Sequence, residues 1–448
     1  MPYIKILGGA APKYSRMSIN SPLNKVSFTL DTGGVMGFFG GEEALSAMST
    51  VHLYQGRRWL GWYNSPGSYI IAKKFGQLAK SRFWDGIFPG PNPTPEEMFG
   101  LDGKDGPRFI GVFSGTDMVT TGHLAYLTAQ KAKEAKEKIH LGGRITAPGS
   151  VSIIDVNDVK LKQGGDVPTM KVYHALCAAI PITSSLTTCL VCAFVRDWLA
   201  FGLIVLGMVS NGLACFVIGS GKPHFQLIKP SSYAPRGDGF LLMHNDIVIL
   251  KGAEKEVAAI TKGKLVLDMG GGEMFNAVGI CSLLLLSQFL IQLLFIPRAT
   301  LMGQIMFLSS LAVSWAYNSF LSSLENEKIQ TDLLWKSLDK PPITKFALPN
   351  RGSQAACVDI SKKSSRNFKP KKILECMIPN DTRVWEAWRE HVARQVLSKE
   401  KNKCFGPYRE LMADLEDEEQ QLLKQLLADA EYGYRCHQMA LETCSLIP

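Results

Sequence analysis

The sequence predicts an α-helical integral membrane protein, with four transmembrane helices in two hairpins and cytoplasmic α+β regions. Three observations predict it. The apolar residues of this 448-residue chain concentrate in two blocks between Val172 and Phe320. Each block holds two uncharged runs of about twenty residues, the length a helix needs to cross about 30 Å of hydrocarbon. The sequence on either side carries charges throughout and reads as soluble. These shifts divide the chain into an N-terminal region (1–171), a first hairpin (172–220), a loop domain (221–274), a second hairpin (275–320) and a tail (321–448).

The N-terminal region is rich in glycine and aromatic residues. "KVSFTLD", "GSYIIAKKF", "RFIGVFSG" and "SVSIIDV" read as strands, and one helix is expected from about Val119 to Ile139. Residues 86–106 are dense in turn formers and read as a loop. The apolar run in "MPYIKILGGAAPKYSRM" is too short for a secretory signal, so the first hairpin is expected to direct insertion. The first cysteine is Cys177, which leaves the region before it without a disulfide framework.

The first hairpin reads "VYHALCAAIPITSSLTTCLVCAFV", a turn at Arg196-Asp197, then "WLAFGLIVLGMVSNGLACFVIGS". Pro181 and the hydroxyl residues from Thr183 to Thr188 are expected to kink its first helix. Cys189 and Cys192 form a CxxC inside that helix, where packing explains them better than zinc or redox chemistry, since a second ligand pair is missing. The second hairpin reads "FNAVGICSLLLLSQFLIQLLFI", a turn at Pro297-Arg298-Ala299-Thr300, then "LMGQIMFLSSLAVSWAYNSF". Arg196 and Arg298 are the sole basic residues of the short turns, whereas Lys160, Lys162, Lys171, Lys222, Lys229, Lys262, Lys264 and Lys328 flank the opposite helix ends. The positive-inside bias therefore puts both termini and the loop domain in the cytoplasm of a plasma membrane or endomembrane.

Between the hairpins, "HFQLIK", "GFLLMHN", "DIVILKG" and "GKLVLDM" read as strands, with a short helix near Glu254–Ile260. In the tail, "FLSSLENEKIQTDLLWKSL" is expected to continue the fourth crossing until Pro341-Pro342. Two amphipathic helices follow, one through Val384, Trp385, Trp388, Val392 and Val396, the other through Leu411, Leu415, Leu422, Leu423, Leu426 and Leu427. They can close on each other, on the N-terminal region or on a partner.

Charged and polar residues supply the candidate sites. The net charge of +9 has a local source in "SKKSSRNFKPKKIL", where Lys362, Lys363, Arg366, Lys369, Lys371 and Lys372 stand without an acidic neighbour. Tied to a membrane, such a run attracts anionic lipid headgroups at about 1 kcal/mol per charge near the surface, although a solvated linker has the same composition. No nucleic-acid module accompanies it. Within the membrane the polar residues are neutral: Asn211, Gln288, Gln292 and Gln304. They either hydrogen-bond between helices or line a path for a small solute.

Asp31-Thr32-Gly33 follows an apolar run, as the catalytic carboxylate of aspartic proteases does. That chemistry needs a second carboxylate. Asp268 in "KLVLDMGGG" is a candidate, with Met269 in place of a hydroxyl residue and little chain left before the next crossing. No histidine or cysteine spacing marks a metal site, and no glycine pattern marks a nucleotide site, so no cofactor is expected.

"GQIMFLSSLAVSWAYNSFLSSLENEKIQ" (Gly303–Gln330) and "GKLVLDM" resemble segments of uncharacterised fungal multi-pass membrane proteins. The resemblance covers the second hairpin and implies membrane residence, with no catalytic or binding residue. The reading that follows is a membrane-anchored scaffold or adaptor acting through its cytoplasmic regions, with a protein partner met by the tail and a homo-oligomer allowed. A small-solute channel or transporter is the alternative, and a membrane-tethered protease using Asp31 and Asp268 the remote one.

Overall fold

The computed structural model describes residues 39–79, 81–139, 144–157, 167–170, 177–360, 369–398, 405–406, 409–412 and 415–445. Asp31, the start of the first apolar run, Lys362, Lys363 and Arg366 lie outside them.

In chain order the helices and strands are α1 (Gly41–Ser49), α2 (Ser68–Leu78), α3 (Arg82–Ile87), α4 (Pro95–Met98), β1 (Arg108–Gly111), β2 (Asp117–Met118), α5 (His123–Glu134), β3 (Glu137–Ile139), β4 (Gly149–Asp155), α6 (Ala179–Phe194), α7 (Trp198–Ile218), β5 (Lys222–Gln226), β6 (Gly239–Leu242), β7 (Ile247–Lys251), α8 (Glu254–Thr261), β8 (Lys264–Asp268), α9 (Gly272–Phe295), α10 (Leu301–Ser322), α11 (Asn326–Ser337), β9 (Ile343–Leu348), α12 (Arg351–Ile360), α13 (Pro370–Met377), α14 (Arg383–Leu397), α15 (Arg409–Met412) and α16 (Asp417–Ser445). They form a helical bundle of α6, α7, α9 and α10 joined to an α/β sandwich.

Two of the bundle helices are long and apolar enough to cross a membrane, Trp198–Ile218 and the stretch Gly272–Arg298. Four crossings are not established by length and composition. Helix α6 has 16 residues, or about 24 Å, and α10, at 22 residues, is diluted by Gln304, Asn318 and several serines. Pro181 sits in the first turn of α6, where its missing N–H costs nothing, so it opens the helix instead of kinking it. The outer turns are tied together. Asp197 caps α7 through the Ala200 N–H (3.0 Å) and also accepts from the N–H and hydroxyl of Thr300 (2.8 and 2.7 Å), the residue that caps α10.

The sandwich is built around a seven-stranded mixed sheet of order β2-β1-β6-β7-β4-β9-β3. Its strands come from all three soluble stretches of the chain, with β4 parallel to β7 and antiparallel to β9. Burial on both faces explains the continuous apolar run of β7. Ile247 and Ile249 face one helical layer, Val248 and Leu250 the other. The first layer contains α12, α13, α14 and α16. The second contains α5, α8 and α11, and its core runs on without interruption to Ala214, Cys215 and Ile218 of α7 and to Val278, Cys281 and Leu285 of α9. Bundle and sandwich therefore share a core.

The loop-domain strands and α8 fall where the sequence puts them, although only β6 and β7 join the large sheet, while β5 and β8 form a separate antiparallel pair. Further expectations are corrected: the helix expected to reach Ile139 ends at Glu134 and 137–139 form β3, and the expected loop at 86–106 holds α4. "GSYIIAKKF" is helical, because Ile71, Ala72, Phe75 and Leu78 align as one buried stripe. The fourth bundle helix does not continue into the tail: α10 stops at Ser322, and α11 starts afresh at Asn326.

Candidate functional site

The four neutral polar residues expected within the membrane lie at three places, Gln288 and Gln292 together, and each donates to a protein acceptor. Asn211 Nδ2 donates to the carbonyl of Gly61 (2.7 Å). Gln288 Nε2 donates to Gln292 Oε1 (3.2 Å), and Gln292 Nε2 donates to the carbonyl of Leu203 (3.1 Å), which ties α9 to α7. Gln304 Nε2 closes the outer turn through the carbonyls of Pro297 (3.3 Å) and Ala299 (3.1 Å). Cys189 and Cys192 pack in an apolar cluster with Ala200, Leu203, Phe307 and Leu311.

The polar centre of the bundle comes from an unexpected place. Residues 57–67, "RRWLGWYNSPG", enter the bundle through a 3-10 turn (Arg57–Trp59) and irregular chain and leave it as α2. Asn64 is fully buried at the tip. Its N–H donates to Ser185 Oγ of α6 (3.1 Å), its Nδ2 donates to Ser310 Oγ of α10 (2.9 Å), and Gly207 of α7 leaves room for its Oδ1, which a Cβ there would overlap. Ser185, Gly207 and Ser310 all lie near the middle of their helices, so the tip reaches about half the bundle's depth. From there α2 packs on α9, with the Tyr69 and Phe289 rings 5.4 Å apart, and α1 packs on α10, with Phe39 and Trp315 5.2 Å apart. The two N-termini meet at Gly41 and Gly67. Gly67 has φ of 73°, and a Cβ on it would strike the Gly41 backbone. Non-helical backbone at such depth is tolerated where it is buried in protein and its polar groups find partners.

Arg57 governs the electrostatics of this segment. It is 1 % exposed and packed against Cys215. Its Nη1 donates to the carbonyl of Leu60 (3.1 Å), its Nη2 donates to the Tyr63 hydroxyl (3.3 Å), and its Cζ lies 5.5 Å from the centre of the Tyr317 ring. The Tyr63 hydroxyl donates to Asn318 Oδ1 (2.9 Å), and Asn318 Nδ2 donates to Ser65 Oγ (3.1 Å). Every group in this chain except the guanidinium is neutral. At the inner end of the segment His52 is buried against Phe99, and burial pushes its pKa down to about 4.

The sequence gives a faint signal for this insertion. Three aromatic residues, Trp59, Trp62 and Tyr63, stand between Gly56 and Gly67, but two adjacent arginines make the stretch look soluble. Arg58 resolves the conflict by turning back, its guanidinium lying over the Trp59 and Phe216 rings.

On the sandwich, the described end of the basic run belongs to α13. Lys369 and Lys372 line a cleft of about 430 Å3 with the β1–β2 turn (Gly111–Gly115) and Asp117, while Lys371 lies 3.8 Å from Glu386. Arg108 donates to Asp117 and holds its carboxyl below the usual carboxylate range. Helix α13 packs on the sheet face opposite the one that meets the bundle. The apolar stripes of α14 and α16 close on each other and on that face: Val384, Trp388, Val392 and Val396 are buried with Leu423, Leu426 and Leu427, and Trp388 Nε1 donates to the carbonyl of Leu426 (2.9 Å). Asp268 is exposed at the end of β8, its Oδ1 accepting from the Gly270 N–H (2.8 Å), which is how a strand ends in a turn. Its supposed partner, Asp31, lies outside the described residues.

Compared with known proteins, the chain matches no family model, no curated protein and no solved structure.

Proposed function

We propose that the protein is a membrane-anchored scaffold, in which α6, α7, α9 and α10 cross a bilayer as two hairpins and hold the α/β sandwich at its cytoplasmic surface. The observation that carries the reading is inverted polarity. All four helices, including the two that fall short on length or hydropathy, expose large apolar side chains: Leu190 on α6, Trp198 on α7, Leu294 on α9 and Ile305 on α10 are among them. The same helices bury Ser185, Asn211, Gln288 and Ser310. Hydrocarbon rewards that arrangement and water penalises it. The distribution of lysines, with Arg196 and Arg298 alone in the outer turns, supports a cytoplasmic sandwich and cytoplasmic termini.

The scaffold reading rests on the shared core, which gives the sandwich a fixed attitude to the bundle, and on the amide donors of Asn211, Gln288, Gln292 and Gln304 each reaching a protein acceptor. The surface offered to a partner is the layer of α13, α14 and α16. Because the sheet separates this layer from the bundle, the cleft at Lys369 and Lys372 suits an acidic protein segment better than the headgroups of the protein's own bilayer. Cross-linking from native membranes followed by mass spectrometry tests this. A stoichiometric partner recovered with the wild type and lost with Lys369→Glu/Lys372→Glu supports it. Equal recovery with both, or no partner with either, contradicts it.

The re-entrant segment favours a second reading, a small-solute path, since paired half-helices meeting in mid-bundle are a device of membrane transporters. Tracer flux into vesicles, abolished by Asn64→Leu, would move the proposal there.

A further inference from the structure

Arg57 brings a full positive charge into the fold, and the described residues supply no carboxylate to pair with it. Guanidinium groups stay protonated in proteins. Leaving a buried charge unpaired is strongly destabilising, which is why buried charges are found paired or bound. Among the described residues no carboxylate forms an ion pair with Arg57, and its Nε finds no acceptor. Two other donors nearby are also unsatisfied: the hydroxyl of Tyr317, whose ring lies over the guanidinium, and the hydroxyl of Ser314, one turn along the same face of α10. Both residues are more than nine-tenths buried. Helix α2 starts beside this cluster, linked to it by the Ser65–Asn318 hydrogen bond, and it has no acidic residue in its first turn. Its dipole adds positive potential to the same interior.

We infer that this cluster binds a small inorganic anion of the halide class. Three of its free groups are donors, an N–H and two hydroxyls, around a cation, which is the complement of a bare anion; the unpartnered oxygens of Asn64 and Asn211 are acceptors and would not contact it. Arg57, Asn64, Ser314 and Asn318 are each at most 1 % exposed, so the cluster is closed to solvent and calls for a monatomic guest in place of a phosphate or a lipid headgroup. The inference stands on the burial of Arg57 and is independent of the scaffold reading, which a partner-free protein would defeat without touching it.

The test uses full-length protein in neutral-detergent micelles, with gluconate exchanged for chloride or bromide at constant ionic strength. A halide bound to the folded state alone raises the thermal midpoint with concentration by mass action. Ser314→Ala/Tyr317→Phe removes two donors that have no partner in the protein, so the variant folds, and its apparent halide Kd weakens by about tenfold or more. Arg57→Met loses the response altogether. A wild-type midpoint indifferent to halide, a response of full strength in the double variant, or a larger response to phosphate than to halide would each overturn the inference. If Arg57→Met fails to fold, the double variant decides alone.

Discussion

On α9 of the bundle Gln288 and Gln292 are buried while Leu290 and Leu294 are exposed; on α14 of the sandwich Val384, Trp388 and Val392 are buried while Glu386 and Glu390 are exposed. Two helices of one chain, sharing a continuous body, sort the same residue types in opposite directions. Sorting by polarity is a response to solvent, and the difference is what the proposed bundle in hydrocarbon and a sandwich in water would require. It also shows what holds each together. The sandwich buries large apolar side chains on both sheet faces, a gain that would be lost in lipid, where a bundle would rely on close packing and on hydrogen bonds between helices.

The comparison can be broken most forcibly at Trp388, which is fully buried. Trp388→Ala should destabilise the sandwich by about 3–5 kcal/mol, seen as early proteolysis of α14 and α16 while the bundle stays protected. A sharper contrast comes from Leu290 on α9 and Leu422 on α16, both partly exposed at 47 % and 38 %. Leu290→Arg should cost about 2.5–3.5 kcal/mol of insertion, whereas Leu422→Arg should stay within about 0.5 kcal/mol. Equal effects in a membrane-insertion assay would erase the distinction.

Acid should strike both regions. His52 beneath the bundle and His437 in α16 both have pKa values lowered to about 4, chiefly by burial. A depressed folded pKa means that the unfolded chain takes up the proton first. Stability is then full above about 6.5 and falls as pH drops toward 4, by roughly 3 kcal/mol for each histidine. His437→Phe should flatten the acid limb of the sandwich transition and leave that of the bundle unchanged in a pH series of denaturation curves. The smallest effect separates two glycines of α7. Gly207→Ala sets a Cβ against Asn64 and should cost about 1–3 kcal/mol, releasing residues 57–67 to trypsin at Arg58. Gly202→Ala, with open space around it, should be neutral or stabilising by up to about 1 kcal/mol.

Much of the sandwich was legible because local pattern and tertiary outcome agree there. The apolar runs of β6 and β7 form strands, and the stripe of α14 survives; of the second stripe Leu423, Leu426 and Leu427 are buried on α16, while Leu411 and Leu415 fall before that helix and Leu422 is exposed. The re-entrant segment was not. Adjacent isoleucines and a tyrosine make "GSYIIAKKF" look like a strand, and what makes it helical is its packing on α9, which lies far away in sequence. Arg57 misleads for a related reason: a charge predicts exposure unless its surroundings are known, and those are supplied by Tyr63, Cys215 and Tyr317, spread over most of the chain. The polar residues of the bundle were found, but single-sequence reasoning could not tell a hydrogen bond from a path, because that depends on the acceptor each side chain reaches.

The central claim is that all four helices cross a bilayer, with both turns on the side opposite the sandwich. Single cysteines at Arg196, Arg298 and Asn380, placed in a background with the native cysteines replaced, test it in sealed vesicles with a membrane-impermeant maleimide. The account predicts that positions 196 and 298 label together from one side and position 380 from the other alone. Labelling of either turn from the side that labels position 380 would contradict it.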